Sequence, residues 1–338
     1  MAKLCIYGAG SIGCYLGGRL AAGGAEVGFI GRPSIGTELQ AHGLTMTHYD
    51  GRDWHVPPGA IAFSAEPDAA ANADLVLVTV KSGATAQAAT ELAGLIRPDA
   101  VVISFQNGIG NADTLRAALP GRTVLAGMVP FNVVRRGPGA FHQASEGEPE
   151  VEGSAALAPF LDDFTRAGFA LHRHREMLPV QWAKLLLNLN NAINALSGLP
   201  LRQELAQRDY RRCLALAQAE ALALLKRAGI APARLTPLPP GWIPALLRLP
   251  DALFARLARK MLAIDPLARS SMADDLAAGR KTEIDWINGE VVRLARRLGK
   301  TAPVNARLTS LIKAAEVDKA RWSGEALLSD LQASASRT

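Results

Sequence analysis

The sequence predicts an α/β chain in two parts. A mostly parallel, doubly wound sheet spans residues 1–176, and a mainly α-helical domain spans residues 177–338. Three observations carry that reading. Short apolar runs alternate with helix-like stretches in the first half, a glycine triplet closes the first of those runs, and long helical patterns take over after about Met177. Strands that alternate with helices pair in parallel through right-handed crossovers, which leaves helices on both faces of an open sheet.

The apolar runs at 4–7, 27–30, 75–80, 101–105 and 124–128 read as buried strands, too short for helices and rich in branched side chains. An Ala/Leu/Gly-rich stretch with helical spacing joins the first two, and another covers 84–96. The segment 44–63 is less regular and suggests extra strands. In the second half, helical spacing covers 180–196, 211–228, 253–264, 272–298 and 306–317. Segment 236–250 holds five prolines and Trp242, so it cannot be one regular helix. It reads as an ordered excursion packing apolar side chains, or as part of a subunit contact. Residues 332–338 look frayed, and no internal repeat is visible.

Composition narrows the function classes. A 338-residue chain is long for one core and suits two domains. At 49% hydrophobic and 20% charged residues it has the balance of a folded globular protein. No apolar run reaches the ~20 residues of a membrane helix. The opening Met1-Ala2-Lys3 passes straight into the strand-like Leu4-Cys5-Ile6-Tyr7 rather than a signal peptide. A cytoplasmic protein with no membrane partner is therefore expected. Cys5, Cys14 and Cys213 lack metal-ligand spacing and read as reduced thiols, and His172 and His174 form no HExxH pattern, so no metal is expected. The net charge of +6 lies largely on helical segments such as Arg293, Arg296, Arg297 and Lys300. Without a basic tail, an aromatic-rich RNA motif or finger spacing, it argues for anionic small molecules rather than nucleic acid.

The strongest local motif is Gly8-Ala9-Gly10-Ser11-Ile12-Gly13, placed after a strand and opening a helix. In that setting Gly8 makes the tight turn, Gly10 admits a pyrophosphate to the backbone, and Gly13 permits close packing of helix on strand. The amides of Ser11 and Ile12 belong to the helix N-terminus facing the anion. An NAD enzyme would carry Asp or Glu at the end of the second strand. That strand ends Phe29-Ile30-Gly31-Arg32, and an arginine suits the 2′-phosphate of NADP instead. Lys81 follows the strand at 75–80, and Asn107 takes the equivalent place after the next one, so both emerge at the carboxyl edge where open α/β sheets bind ligands.

The helical half opens with Trp182-Ala183-Lys184-Leu185-Leu186-Leu187-Asn188-Leu189-Asn190-Asn191. On one helix, Lys184, Asn188 and Asn191 fall within roughly 60° of one another. A lysine and two amides on one face of an apolar helix are costly to bury without partners. Further on, Ile284, Ile287, Val291 and Leu294 form an apolar helical stripe that Glu283 borders.

These pieces in this order resemble the ketopantoate reductase (PanE/ApbA) family across nearly the whole chain. The likeness rests on the glycine motif, Lys81, Asn107-Gly108, the Lys184 helix, Ser270-Ser271-Met272 and Thr282-Glu283-Ile284-Asp285 with Ile287-Asn288-Gly289. The resemblance implies an NADP-binding Rossmann-like domain over 1–176 and a helical substrate domain over 177–338. It also implies hydride transfer from NADPH to the C2 ketone of a 2-oxo acid, 2-dehydropantoate, giving pantoate for pantothenate and coenzyme A synthesis. By the same resemblance Lys184 is the general acid and Glu283 the second key polar residue. Asn107, Asn188 and Ser271 match substrate-binding residues, while Arg32 and Lys81, with Asn107 beside them, match the cofactor site. Two departures stand out: Ala192 and Arg202 occupy positions where asparagines are expected, and Asn191 offers a substitute for the first. They keep open a different 2-oxo acid on the same scaffold; a non-catalytic NADP sensor is a further alternative. The apolar helices leave room for a homodimer.

Overall fold

A computed structural model describes residues 2–258 and 268–336 of the chain. The chain forms two compact units, Met1–Met177 and Leu178–Thr338.

The first unit begins with β1 (Lys3–Tyr7), α1 (Ser11–Ala22), β2 (Glu26–Ile30), α2 (Pro33–His42), β3 (Leu44–His48), β4 (Asp53–Val56) and β5 (Ala62–Ser64). It continues with β6 (Leu75–Val78), α3 (Thr85–Ala93), β7 (Val101–Ser104), α4 (Asn111–Ala118) and β8 (Thr123–Met128). After these come β9 (Val133–Arg135), β10 (Ala140–Gln143), β11 (Glu150–Glu152), α5 (Leu161–Arg166) and β12 (His172–His174). The main sheet has the order β12-β11-β8-β7-β6-β1-β2-β5 and is parallel throughout except at the antiparallel β8–β11 pair. Strand order therefore reverses between β1 and β6, the position where such sheets open a crevice for ligands. Both faces are buried. Along β1, Leu4 and Ile6 join one apolar cluster while Cys5 and Tyr7 join the other, the period-2 signature of a strand covered on both sides.

The segment expected to add strands does so in two places: β5 extends the main sheet at its edge, while β3 and β4 enter a second, four-stranded sheet of order β4-β3-β10-β9. Helix α1 packs on that small sheet, where the Arg19 guanidinium stacks 3.8 Å above the Trp54 ring. The strand expected over 75–80 stops at Val78. Thr79 and Val80 leave the ladder to buttress the glycine turn, with Thr79 N donating to Tyr7 O at 2.9 Å and Thr79 Oγ1 to Gly8 O at 2.7 Å.

The second unit is helical: α6 (Leu178–Asn188), α7 (Asn190–Ser197), α8 (Leu201–Ala206), α9 (Arg208–Arg227), α10 (Ile243–Leu247) and α11 (Asp251–Leu257). It ends with α12 (Ser271–Ala277), α13 (Asn288–Arg297), α14 (Pro303–Asp318) and α15 (Gly324–Ala335). Helix α9 touches α7, α8, α10, α13, α14 and α15. The helix expected over 180–196 is interrupted at Leu189, and the one expected over 253–264 runs to Leu257, its stretch from 259 lying outside the described residues.

Two expectations are corrected. Residues 272–298 are not one helix: α12 ends at Ala277, Gly279 just beyond it has a φ of +66° that suits glycine, and a 3-10 turn at Ile284–Trp286 precedes α13. At the C-terminus, residues 332–335 belong to α15 because Leu327, Leu328 and Leu331 bury its inner face; 337–338 lie outside the described residues. The proline-rich segment is ordered, as a 3-10 turn at Pro240–Trp242 followed by α10 packed on α9. The buried Arg211 holds its far end, donating to Leu247 O and Leu249 O and pairing with Asp251 at 2.8 Å. Cys5, Cys14 and Cys213 are free and buried, and burial pushes each thiol up to about 12. Among the described residues no helix is long and apolar enough to cross a membrane.

Candidate functional site

On the first unit the glycine turn is tied to the end of β2. Gly8 N and Ala9 N both donate to Ile30 O, at 2.9 and 2.8 Å. Each glycine has a separate physical reason. Gly8 has φ +118°, and a Cβ there would stand 2.6 Å from Val80 N. A Cβ on Gly13 would stand 2.6 Å from Thr79 Oγ1, so only glycine lets α1 lie this close to the strand end. A Cβ on Gly10 meets nothing within 4 Å: that position faces open space. Gly10 is also the N-cap of α1 and brings no side-chain cap, leaving the first-turn amides from Ser11 onward for an outside acceptor. Open space above uncapped amides fits a pyrophosphate.

Arg32 is exposed at the carboxyl end of β2, just after Gly31, where a Cβ would come 2.8 Å from that of Ala9. The guanidinium thus starts beside the glycine turn. Strands β6 and β7 pair with Val78 opposite Ser104, so Lys81 and Asn107 each follow their strand by three residues. The two turns are bonded together: Ser82 Oγ and Asn111 Nδ2 both donate to Asn107 O at 2.7 Å. Beneath them Gln106 Nε2 donates to Val80 O and to Thr85 Oγ1, at 3.0 and 2.7 Å. Ser82, Thr85, Ser104, Gln106 and Asn111 are buried. The structure therefore gathers Gly8 to Gly13, Arg32, Lys81 and Asn107 on one sheet edge, over a polar layer that sequence reasoning did not single out.

On the second unit, α6 carries Lys184 and Asn188 one turn apart, and α7 carries Asn191; all three are half-buried. Trp182, Ala183, Leu185 and Leu186 are buried around Lys184. Although its side chain keeps some exposure, burial of the ammonium draws its pKa down to about 8.

Ser271 is exposed as the first residue of α12. Its neighbour Ser270 is the buried N-cap, accepting from Ala273 N at 3.1 Å. Ser270 also reaches α7, with Oγ donating to Asn191 O at 3.3 Å and N to Asn194 Oδ1 at 2.9 Å. Asn191 and Ser271 are thereby brought together. Glu283 is half-buried but does not border a helix, contrary to the sequence expectation. It precedes the 3-10 turn, and its neighbour Thr282 is pinned to α14 by two bonds to Glu316, at 2.9 and 2.8 Å.

Of the two departures, Ala192 is fully buried and Arg202 is exposed on α8. Two further residues, Glu204 and Asn194, emerge. Glu204 Oε2 accepts from Asn190 Nδ2 and Asn194 Nδ2, both at 3.1 Å, and burial pushes this carboxyl up to about 8. The clustered asparagines were the signal that could have found the pair.

Sequence comparison matches residues 4–153 to the family described as ketopantoate reductase PanE/ApbA, and residues 176–316 to its C-terminal part. A 2-dehydropantoate 2-reductase of Halobacterium salinarum is 29% identical over 323 residues, covering 94% of this chain and 99% of that protein. Its counterpart in Pyrococcus horikoshii is 27% identical over 328 residues, covering 93% and 97%. Among solved structures, the PanE/ApbA family ketopantoate reductase of Ralstonia eutropha JMP134 is similar at TM-score 0.79 and 33% identity, covering 94% of this chain and 99% of that one. A D-mandelate dehydrogenase in ternary complex with NADH shares the fold at TM-score 0.71 and 22% identity, covering 93% of this chain and 98% of that one.

Proposed function

The chain belongs to the ketopantoate reductase PanE/ApbA family, and on that premise we propose that it reduces 2-dehydropantoate to pantoate with NADPH, in the cytoplasm. The carrying observation is Lys184: an ammonium on an apolar helix face whose pKa burial draws down to about 8. Residues 1–176 bind the nucleotide and residues 177–338 the oxo acid. The first-turn amides of α1 hold the pyrophosphate, Arg32 the 2′-phosphate, and Lys81 with Asn107 complete the nucleotide contacts.

NADPH, when bound, supplies the hydride that reduces the ketone at C2. The oxygen on C2 then carries a developing negative charge, and Lys184 Nζ donates its proton to that oxygen. A lysine with pKa near neutrality suits this task, because it stays charged at pH 7 yet releases its proton readily. The substrate carboxylate is held by neutral donors, Asn188, Asn191 and Ser271, which leave the charge on Lys184 uncancelled. Glu283 orients the Lys184 ammonium or accepts a substrate hydroxyl.

The test is loss of reduced-nicotinamide absorbance with purified protein and 2-dehydropantoate, run beside pyruvate and branched 2-oxo acids. The highest kcat/KM belongs to 2-dehydropantoate, with NADPH preferred over NADH. Lys184→Ala lowers turnover about 10²- to 10⁴-fold, the usual range for loss of a general acid. Tight NADPH binding with no turnover of 2-dehydropantoate overturns the substrate assignment. A homodimer completes the reading, supported by the outward-facing Trp242, Leu253 and Leu257 near the proline-rich segment; light scattering of the purified chain measures it.

A further inference from the structure

Glu204 is fully buried in the second unit. Two amide donors, Asn190 Nδ2 and Asn194 Nδ2, meet at its single oxygen Oε2. Asn194 is engaged on three sides. Its Nδ2 also donates to Leu199 O at 2.9 Å, and its Oδ1 accepts from Ser270 N at 2.9 Å. With a planar amide so fully used, rotating the side chain would break several buried bonds at once, so Asn194 acts as a rigid spacer. Ser270 in turn bonds Asn191 O and caps α12, whose first residue is Ser271.

We propose that Glu204 is a positioning residue for substrate binding: it locks Asn194 in place, Asn194 holds the Ser270 amide, and Ser270 sets Asn191 and Ser271. The inference rests on the function proposed above for its assignment of those last two residues to the substrate. Glu204 touches no reacting atom; two hydrogen bonds lead from it to Ser270, the neighbour of Ser271, and a third leads on to Asn191.

The chemistry of the cluster favours a neutral carboxyl. Glu204 Oε1 is buried and, among the described residues, has no hydrogen-bond partner. A bare carboxylate oxygen in that position would carry an uncompensated charge into a dry interior. With the proton on Oε1, Oε2 remains free to accept both amides. The cluster then brings no negative charge close to residues meant to hold an anion. An amide can do the same, because the oxygen of a glutamine accepts from both asparagines equally well.

The experiment compares Glu204→Gln and Glu204→Leu with the wild type by three readouts: KM and kcat for 2-dehydropantoate, NADPH affinity by fluorescence, and hydrogen exchange at the Ser270 amide without substrate. Leucine removes the acceptor that the two asparagine amides share, leaving Asn194 Nδ2 only its bond to Leu199 O. The expected result is a KM raised about tenfold, the value of one buried hydrogen bond, with kcat less affected and NADPH affinity unchanged. Exchange at Ser270 accelerates in the same variant, and glutamine restores wild-type values in all three. Should Glu204→Leu fail to fold, Asn194→Ala cuts the chain one bond further on and is expected to show the same pattern. Unchanged exchange at Ser270 in these variants overturns the proposal. So does a parallel loss of NADPH affinity and KM, which marks general loosening. Absence of wild-type turnover overturns the function reading instead, and the exchange at Ser270 then decides the positioning role by itself.

Discussion

Burial of the Lys184 ammonium has a direct kinetic consequence. With the pKa drawn down to about 8, the protonated form dominates below that pH and is lost above it. The reduction needs the proton on Lys184, so its kcat/KM is expected to be level below pH 8 and to fall about tenfold per unit above it. The reverse oxidation needs the free amine and rises through the same range. A pH profile in both directions checks the pair of signs. At the glycine turn, Gly10→Ala and Gly13→Ala separate two effects. Alanine at Gly10 meets no protein atom, so the variant folds normally and loses NADPH affinity, because its methyl occupies the space intended for phosphate. Alanine at Gly13 comes within 2.6 Å of Thr79 Oγ1, so that variant loses thermal stability as well. Residues of this kind were legible in the sequence, since glycine spacing, Arg32 and the out-of-place Lys184 each break a local pattern. Gln106, Asn111, Asn194 and Glu204 were not. Each sits among other polar residues without a period, and what makes it part of a site is a partner in another element of the chain.

The long apolar runs became strands where expected, because short, largely apolar runs covered on both faces have few alternatives to a parallel sheet. Strands β9 to β12 are three or four residues each, too short to display a period, and they exist through pairing with β3 and β8. The helix wrongly extended over 272–298 shows the opposite failure. Apolar spacing at Ile284, Ile287 and Val291 continues in phase across a break, and all three are buried, so the period alone hides the interruption. Gly279 was the available signal. It has φ +66°, and a methyl added there would meet nothing within 4 Å, so its replacement costs backbone strain alone. Gly279→Ala is expected to lower stability by about 1 kcal/mol and to raise the exchange rate of amides 280–283, which lead into Glu283. Chemical denaturation with exchange mapping tests both.

For the molecule as a whole, Glu204 links stability to pH. Burial raises its carboxyl from 4.5 to about 8 in the folded chain, so folding takes up a proton between those values. Stability from this group is complete below pH 4.5 and declines as pH rises toward 8, by on the order of 3 kcal/mol at pH 7. Glu204→Gln removes the titration, and its melting temperature is expected to change less than that of the wild type between pH 5 and 8. The two-unit division has a second use, which comes from the cysteines. Cys5 and Cys14 lie in the first unit and Cys213 in the second, all protonated and shielded in the fold. Reagents that alkylate thiols will therefore react only when a unit opens, since the thiolate is the nucleophile. Mass spectrometry of a partly unfolded sample then reads the two halves separately: early labelling at Cys213 reports the helical half opening first, and early labelling at Cys5 and Cys14 reports the sheet. The native chain thus carries its own clock for each half, with no dye or engineered probe.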